Sequence, residues 1–254
     1  PGIVAAWRWA LRWFPIPVAL ALFSCGCAVE YGMRIHRFES PEAQGGAGKG
    51  AVTFGVPTVH ALVIDEWFEA DPLDPDVVRF DGENQVFDIG CDIGAAERWD
   101  VMLKAGLPYV PFTVGGKYQI LGQPRATAKP GNFSLAATVA PGLYAFDEYA
   151  GDRTAEGYIG SLDASVIAGY RLTDWLLAYG GPYAVYHDAF DVEIREAGET
   201  IERSGDGRQL GVHLGLRFEA KFFVAMVEVA WSDARWEGLR DDAFGLGVTI
   251  GFQW

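Results

Sequence analysis

Bases are scarce in this chain. Lys and Arg together number 20 against 34 Asp and Glu, a formal net charge of −14. No basic stripe is present to neutralise a phosphate backbone, which excludes a nucleic-acid partner. Cysteine is scarcer still: Cys25 and Cys27 stand together near the start and Cys91 stands alone, so no disulfide framework exists. Cys91 falls in the outward series of an alternating segment and reads as a small hydrophobe rather than a reactive thiol. None of the four histidines, His36, His60, His187 and His213, has a serine two places on, so a His-x-Ser hydrolase arrangement is missing. The glycines of 45–50 follow no strand and lead to no Gly-Lys-Ser/Thr, which removes a phosphate loop. Asp71-Pro-Leu-Asp-Pro-Asp76 matches no defined calcium loop. No cofactor and no resident metal are therefore expected. Beyond residue 24 there is also no long apolar run; apolar residues come in short stretches, with abundant glycine (32) and 14% aromatics. That distribution predicts many short strands in one all-β domain.

The single long apolar run is Phe14–Ser24, preceded by Arg8 and Arg12 with no acid before it. Its length suits the core of a signal segment and is too short to span a bilayer. Leu22-Phe23-Ser24-Cys25 resembles a bacterial lipobox, with Cys27 as a competing site. The resemblance implies lipidation at Cys25 or Cys27, and the absence of Asp at position 26 fits delivery to the outer membrane. Residues 1–27 are thus expected to be an export segment. Residues 28–50, with the glycine-rich Glu39–Gly50 stretch, are expected to form a flexible periplasmic linker ahead of a barrel over 51–254.

The remainder alternates with period two. In 158–170, Tyr158, Gly160, Leu162, Ala164, Val166, Ala168 and Tyr170 form one uncharged face. Twelve steps of about 3.3 Å, tilted near 45°, rise about 28 Å, close to the apolar band of a membrane barrel. The same pattern recurs in 208–218 and in 244–254, where Phe244, Leu246, Val248, Ile250, Phe252 and Trp254 share a face. Candidate strands lie near 51–63, 84–93, 98–107, 113–122, 132–144, 157–170, 174–187, 208–218, 222–232 and 243–254, which predicts about ten strands with Pro57 and Pro182 as weak points. Short connections at 94–98, 171–174 and 219–221 alternate with long ones at 64–83, 145–156, 188–207 and 233–242; the short 108–112 breaks the rule. An even count puts both termini on the short-turn rim. One girdle is expected from Trp99, Tyr170, Trp175, Phe218, Phe223 and Trp254, the other from Tyr158, Tyr183, Trp231 and Phe244.

These segments resemble the bacterial outer-membrane β-barrel proteins over roughly 51–254, most specifically in the last strand. There Phe252 and Trp254 look like the C-terminal signal read by the barrel-assembly machinery; a terminal Phe is more usual in that group. The turn-plus-strand pieces Glu97–Val101 and Leu172–Leu176 are also similar to it. The resemblance implies a transmembrane antiparallel up-and-down barrel in the outer membrane, in contact with outer-membrane lipids and lipopolysaccharide; the oligomeric state is left open, with a monomer favoured.

The alternation turns Asp88, Asp92, Lys104, Lys117, Asp163, His213, Arg217 and Glu228 toward the lumen. Because an unpaired charge in a narrow interior is costly, these are expected to pair and close it. That gives a structural or surface-interaction barrel with acidic outer loops. The alternative is a narrow channel for small polar solutes lined by the same residues. Catalysis is not expected. His187-Asp188 sits at a rim as in the ten-stranded omptin proteases, but their facing aspartates have no counterpart in 108–112.

Overall fold

A computed structural model describes residues 30–63, 79–150, 153–196 and 199–254. The export segment with Cys25 and Cys27, and Asp71–Asp76, lie outside the described residues. The strands in chain order are β1 (Glu30–Arg34), β2 (Gly50–Val56), β3 (Thr58–Val63), β4 (Arg79–Gln85), β5 (Phe87–Ala96), β6 (Trp99–Leu107), β7 (Val110–Leu121), β8 (Phe133–Ala150), β9 (Arg153–Thr173), β10 (Leu176–Glu196), β11 (Glu199–Ala220), β12 (Phe223–Trp236) and β13 (Leu239–Gln253). Ten of them, β2 and β5 to β13, close an antiparallel up-and-down barrel in which each pairs with its chain neighbour and β13 returns to β2. This is the ten-stranded antiparallel barrel that the alternation predicted.

Alternation explains the wall. On β13 the whole series Phe244, Leu246, Val248, Ile250, Phe252, Trp254 is exposed, while Gly245, Gly247, Thr249, Gly251 and Gln253 are buried inside. β9 repeats it, with Tyr158, Leu162, Val166 and Tyr170 exposed and Ile159, Asp163, Ser165 and Ile167 buried. A soluble protein would bury such a belt; here it faces outward around the ring, as hydrocarbon contact requires. Trp99 with Tyr118 and Trp175 with Phe218 sit in ring contact near the short turns. Tyr183 corrects one expectation. It is buried in the lumen rather than in the far girdle, because it shares the parity of Tyr179, Val185 and His187.

The two rims differ. One carries the short turns at 97–98, 174–175 and 221–222 and the loop 122–132, together with the seam ends, where Gly50 and Trp254 exchange backbone hydrogen bonds at 3.2 and 3.0 Å. At the other, three of the segments expected as long loops, 145–156, 188–207 and 233–242, are largely strand over their described residues, and 64–78 of the fourth lie outside the described residues. β9 stays paired with β10 as far as Arg195↔Thr154, β10 with β11 to Glu196↔Glu199, and β12 with β13 to Trp236↔Leu239. The outward face changes chemistry on the way, from Ala145 to Asp147, from Tyr158 to Glu156, from Tyr186 to Asp188 and from Trp231 to Asp233. Apolar alternation stops at the membrane boundary while backbone pairing continues beyond it, so a hydrophobic pattern ends these strands too early. The wall is uneven: β5, β6 and β7 are only 10, 9 and 12 residues long, against 21 and 22 for β10 and β11.

Pro57 divides the expected strand 51–63. It cannot donate to a ladder, and β2 stops at Val56. The chain then leaves the wall as β3, which pairs with β1 and β4 in a three-stranded sheet inside the barrel. The expected strand at 84–93 is divided in the same way, since Asn84 and Gln85 belong to the inner sheet and the wall resumes at Phe87. A hydrogen bond from Val86 N to Pro57 O, 3.2 Å, closes the excursion.

Residues 28–50 were expected to be a flexible periplasmic linker. The described part is the opposite: residues 31–37 and 39–44 are buried, running down the lumen from the long-hairpin rim to the short-turn rim. Gly45, Gly46 and Gly48, all at positive φ, turn the chain there into β2. The physical reason is that Tyr31, Met33, Ile35 and Phe38 are too apolar, and Arg34, Arg37, Glu39 and Glu42 too well matched to the wall, for a solvated tether. This segment is the plug.

Candidate functional site in the plugged lumen

The plug meets a different environment at each level. Near the long-hairpin rim, Tyr31, Met33 and Leu62 pack with Phe146, Ile159, Val192 and Trp236 in an apolar cluster. Tyr31 Oη lies 2.8 Å from His187 Nδ1. His187 is therefore a buried partner of the plug and not a rim residue, and Asp188, the next residue along, faces out. A catalytic His187-Asp188 pair cannot form, because neighbours on a strand point to opposite faces. One step down, Ile35 packs on Ala230 and Ala243, and Arg34 binds Asp88 at 2.9 Å.

Halfway down, Glu228 of β12 is the hub. Its fully buried carboxylate accepts hydrogen bonds from Arg37 N (2.6 Å), Phe38 N (3.0 Å), Tyr179 Oη (3.1 Å) and His213 Nδ1 (3.1 Å). His36 Nδ1 stands 3.7 Å away. Arg37 pairs with Asp163 and lies over the Tyr183 ring, 4.8 Å from its centroid. Inward glycines make the space. A Cβ at Gly247 would stand 2.6 Å from Phe38 Cζ, and one at Gly245 would stand 2.7 Å from His36 Nε2.

Below the hub the contacts are ionic. Glu39 pairs with Lys104 and accepts from Ser165 at 3.0 Å and Thr138 at 3.3 Å. Glu42 pairs with Arg171 and accepts from Asn132 at 3.0 Å. Asp100 accepts the Gln44 N–H at 3.0 Å and binds Lys117 at 2.9 Å, and Gln119 accepts the Ala43 N–H at 2.8 Å. Pro41 presses on Gly169, where a Cβ would lie 2.6 Å from its Cγ.

The eight charged or polar positions read from alternation all line the lumen: Asp88, Asp163, His213, Arg217, Glu228 and Lys117 are buried, and Asp92 and Lys104 half-buried. Their partners differ from those expected. Only His213 with Glu228, and Lys117 with Asp92 at 3.4 Å, pair within the set. Asp88, Lys104, Asp163 and Glu228 hold the plug, and Arg217 binds Glu219 at 2.7 Å and Gln253 at 3.3 Å, so Asp163, Arg217 and Glu228 form no common cluster. The plug side, Arg34, His36, Arg37, Glu39 and Glu42, was missed because its residues lie in what reads as a linker. The signal was available in Met33–Glu39, which holds too many aromatic, apolar and charged side chains for a flexible tether. Phe252 and Trp254 face outward, 56% and 55% exposed, at the seam.

Two further features bear on chemistry. Beside the plug, a cavity of about 20 Å³ lies among Arg37, Asp88, Asp92, Lys104, Arg217 and Thr249, room for about one water. Nearer the long-hairpin rim, His60 Nδ1 lies 2.7 Å from Asp241 Oδ2 and its Nε2 lies 2.5 Å from Ser232 Oγ. That is the order of a nucleophile, base and acid. Ser232 has no exposed surface and its oxygen also accepts from Gln209 Nε2 at 3.0 Å, so no substrate carbonyl can approach it. The trio ties β3 to β12 and β13. No group of three or more potential metal ligands occurs among the described residues.

Above the belt the outer hairpin of β12 and β13 places Asp233 opposite Asp242, a like-charge pair that alone would be unfavourable. Arg235 at 3.0 Å and Arg240 at 2.5 Å both donate to Asp233. Its slight burial works the other way, but the two guanidiniums prevail and hold the carboxyl below its ordinary range.

No protein-family profile matches the chain, and no curated protein sequence does. Among solved structures it is similar to Ail, the attachment invasion locus protein of Yersinia pestis, at 11% identity over 82% of this chain and 99% of that one, with a TM-score of 0.35. It is also similar to Ail in complex with the heparin analogue sucrose octasulfate, at 12% identity, the same coverage and a TM-score of 0.36.

Proposed function

We propose that the protein is an integral barrel of the bacterial outer membrane, closed by its own N-terminal segment, which acts at the cell surface through its tall hairpins and not by passing solutes or by catalysis. One observation carries this reading: residues 31–37 and 39–44 are buried in the lumen, with the charges of Arg34, Arg37, Glu39 and Glu42 answered by wall residues. A lumen filled in this way offers water no continuous path. The short-turn rim faces the periplasm and the hairpins of β8 to β13 face outward.

Beyond the apolar belt those hairpins present Asp147, Glu156, Asp188, Asp206 and Asp242 on their outer faces. A negative surface here meets lipopolysaccharide phosphates through shared divalent cations. The outward Phe252 and Trp254 on the seam strand are the elements offered to the assembly machinery, and the protein works as a monomer. Planar-bilayer recording of the purified, folded protein tests the closed state: no steady conductance is expected. Stable ion-selective steps would overturn it in favour of a narrow channel. That second reading draws on the small polar cavity beside the plug, and under it Lys104→Glu would shift the ion selectivity.

A further inference from the structure

On the outer face of β11 to β13 one cross-strand row consists of three bases. Arg208 stands opposite Arg235, and Arg235 stands opposite Arg240. All three side chains are exposed on the outward series. Like charges facing one another across a ladder repel, so such a row needs an anion. The fold supplies one, Asp233, whose Oδ1 accepts from Arg235 Nε at 3.0 Å and whose Oδ2 accepts from Arg240 Nε at 2.5 Å. That clasp uses only the Nε of each guanidinium, and the Nη groups of both remain to be used. Arg208 has no ion pair among the described residues, although Asp206 lies two places back on the same face. Arg195 on β10 differs, being spent on Glu156 and Glu193.

The belt beneath sets the height of the row. Trp231 pairs with Phe244 and with Val212; one outward step higher come Leu210, Asp233 and Asp242, and the next step is the three arginines. Leu210, Trp231 and Phe244 are exposed apolar surface. Two residues at about 3.3 Å each, tilted near 45°, raise Asp233 about 5 Å above Trp231 and Phe244. Arg235 and Arg240 lean down to Asp233, which brings their guanidiniums to that level. Lipid headgroups occupy roughly 5–8 Å beyond the hydrocarbon on each side. The two guanidiniums are thus held at headgroup depth with their Nη donors unspent, over an apolar floor.

We propose that Arg208, Arg235 and Arg240 form a phosphate site for the outer-leaflet glycolipid, binding a lipopolysaccharide phosphate directly and without a bridging cation, with its acyl chains along Leu210, Trp231 and Phe244. Asp233 positions two of the three arginines. The planar guanidinium presents paired N–H groups that match phosphate oxygens. Asp206 and Asp242 flank the row, so the attraction is local and depends on these N–H contacts rather than on net charge. The depth of the site and the floor beneath it favour a lipid over a soluble polyanion. This rests on the outward orientation of the hairpins proposed above and adds to it a second mode of contact, separate from the cation-bridged one at the acidic positions of β8 to β10.

The test uses the full-length folded barrel in non-ionic detergent with EDTA present. It is titrated with lipid A carrying its two phosphates, with the same lipid A after phosphate removal, and with phosphatidylglycerol, and native mass spectrometry counts bound lipid. Wild type is compared with the double variant Arg208→Gln, Arg240→Gln and with Arg195→Gln, each certified as folded by slow migration on unboiled gels. Wild type and Arg195→Gln are expected to bind phosphorylated lipid A in EDTA. Loss of either the two arginines or the phosphates should weaken binding about tenfold or more. Undiminished binding by the double variant, or binding that appears only when magnesium is restored, overturns the proposal. Phosphatidylglycerol bound as tightly as lipid A overturns the glycolipid assignment, and so does binding of soluble dextran sulfate in place of lipid A. An epitope inserted at Glu237–Gly238 reads the orientation separately. Reached by antibody on intact cells, it leaves the orientation standing whichever way the lipid titration falls; reached only after outer-membrane permeabilisation, it removes the orientation and the outer-leaflet ligand with it.

Discussion

The upper and lower halves of the lumen are sealed by the same segment in different ways. Near the long-hairpin rim the seal is mainly apolar: Tyr31 and Met33 of the plug, with Leu62 of β3, against Phe146, Ile159 and Trp236. From Glu228 downward it holds a column of charges in which each charged plug residue answers a charged wall residue, Arg37 with Asp163, Glu39 with Lys104 and Glu42 with Arg171. An apolar seal tolerates loss of one member with a cavity as the cost. An ionic one does not, because removing either partner strands the other in a dry interior. The lower half therefore fixes the register of the plug, and the upper half excludes water.

The largest effect should come from the lower half. Glu228→Ala removes the acceptor of two plug N–H groups, Tyr179 and His213, and is expected to cost about 3–5 kcal/mol. Urea unfolding of the protein in lipid vesicles reads the loss, and bilayer recordings should show conductance where none is expected of wild type. Trp236→Ala carries a cost of similar size, about 3–5 kcal/mol, through lost apolar packing. Here the lower column survives, so the variant should remain electrically silent; conductance equal to that of Glu228→Ala would erase the distinction between the halves. Gly247→Val presses a side chain into the space of Phe38 and His36, for about 1–3 kcal/mol from overpacking. Proteolysis on the released segment 31–46 should rise in that variant and stay low in wild type. Outside both halves, Arg195→Ala removes the exposed pairs to Glu156 and Glu193, both 2.8 Å, and the unfolding midpoint should move by less than the equivalent of about 0.5 kcal/mol.

The wall was legible because each of its strands carries two solvents, hydrocarbon outside and a polar interior, and period two separates them without ambiguity. Phe244 to Trp254 and Leu210 to Leu216 needed nothing more. The same logic placed Asp88, Lys117, Asp163, His213 and Glu228 inside. It could not give their partners, since pairing depends on a segment that is distant in sequence and carries no such alternation of solvents. Residues 31–37 and 39–44 are buried, so polar and apolar positions follow the local wall chemistry, level by level, and no period survives to be read. Pro57 was visible as an interruption, but whether a proline ends a strand or diverts it inward is decided by what occupies the lumen. The tall hairpins were read as loops for the converse reason: above the belt the outer faces of β10 and β11 turn polar, so the apolar outward series stops while the ladder persists.

The seam between β13 and β2 joins the last strand to the first over Val56↔Val248 to Ala51↔Gln253. The plug is continuous with β2 through the turn at 45–48 and is paired to β3 just after it, so it belongs to the opening edge of the sheet. A sheet that carries its filling on one edge can curl around it and close edge to edge, and no chain end has to be fed through a finished ring. Barrel closure and lumen closure then become one event, completed only when the final residues before Trp254 have been supplied.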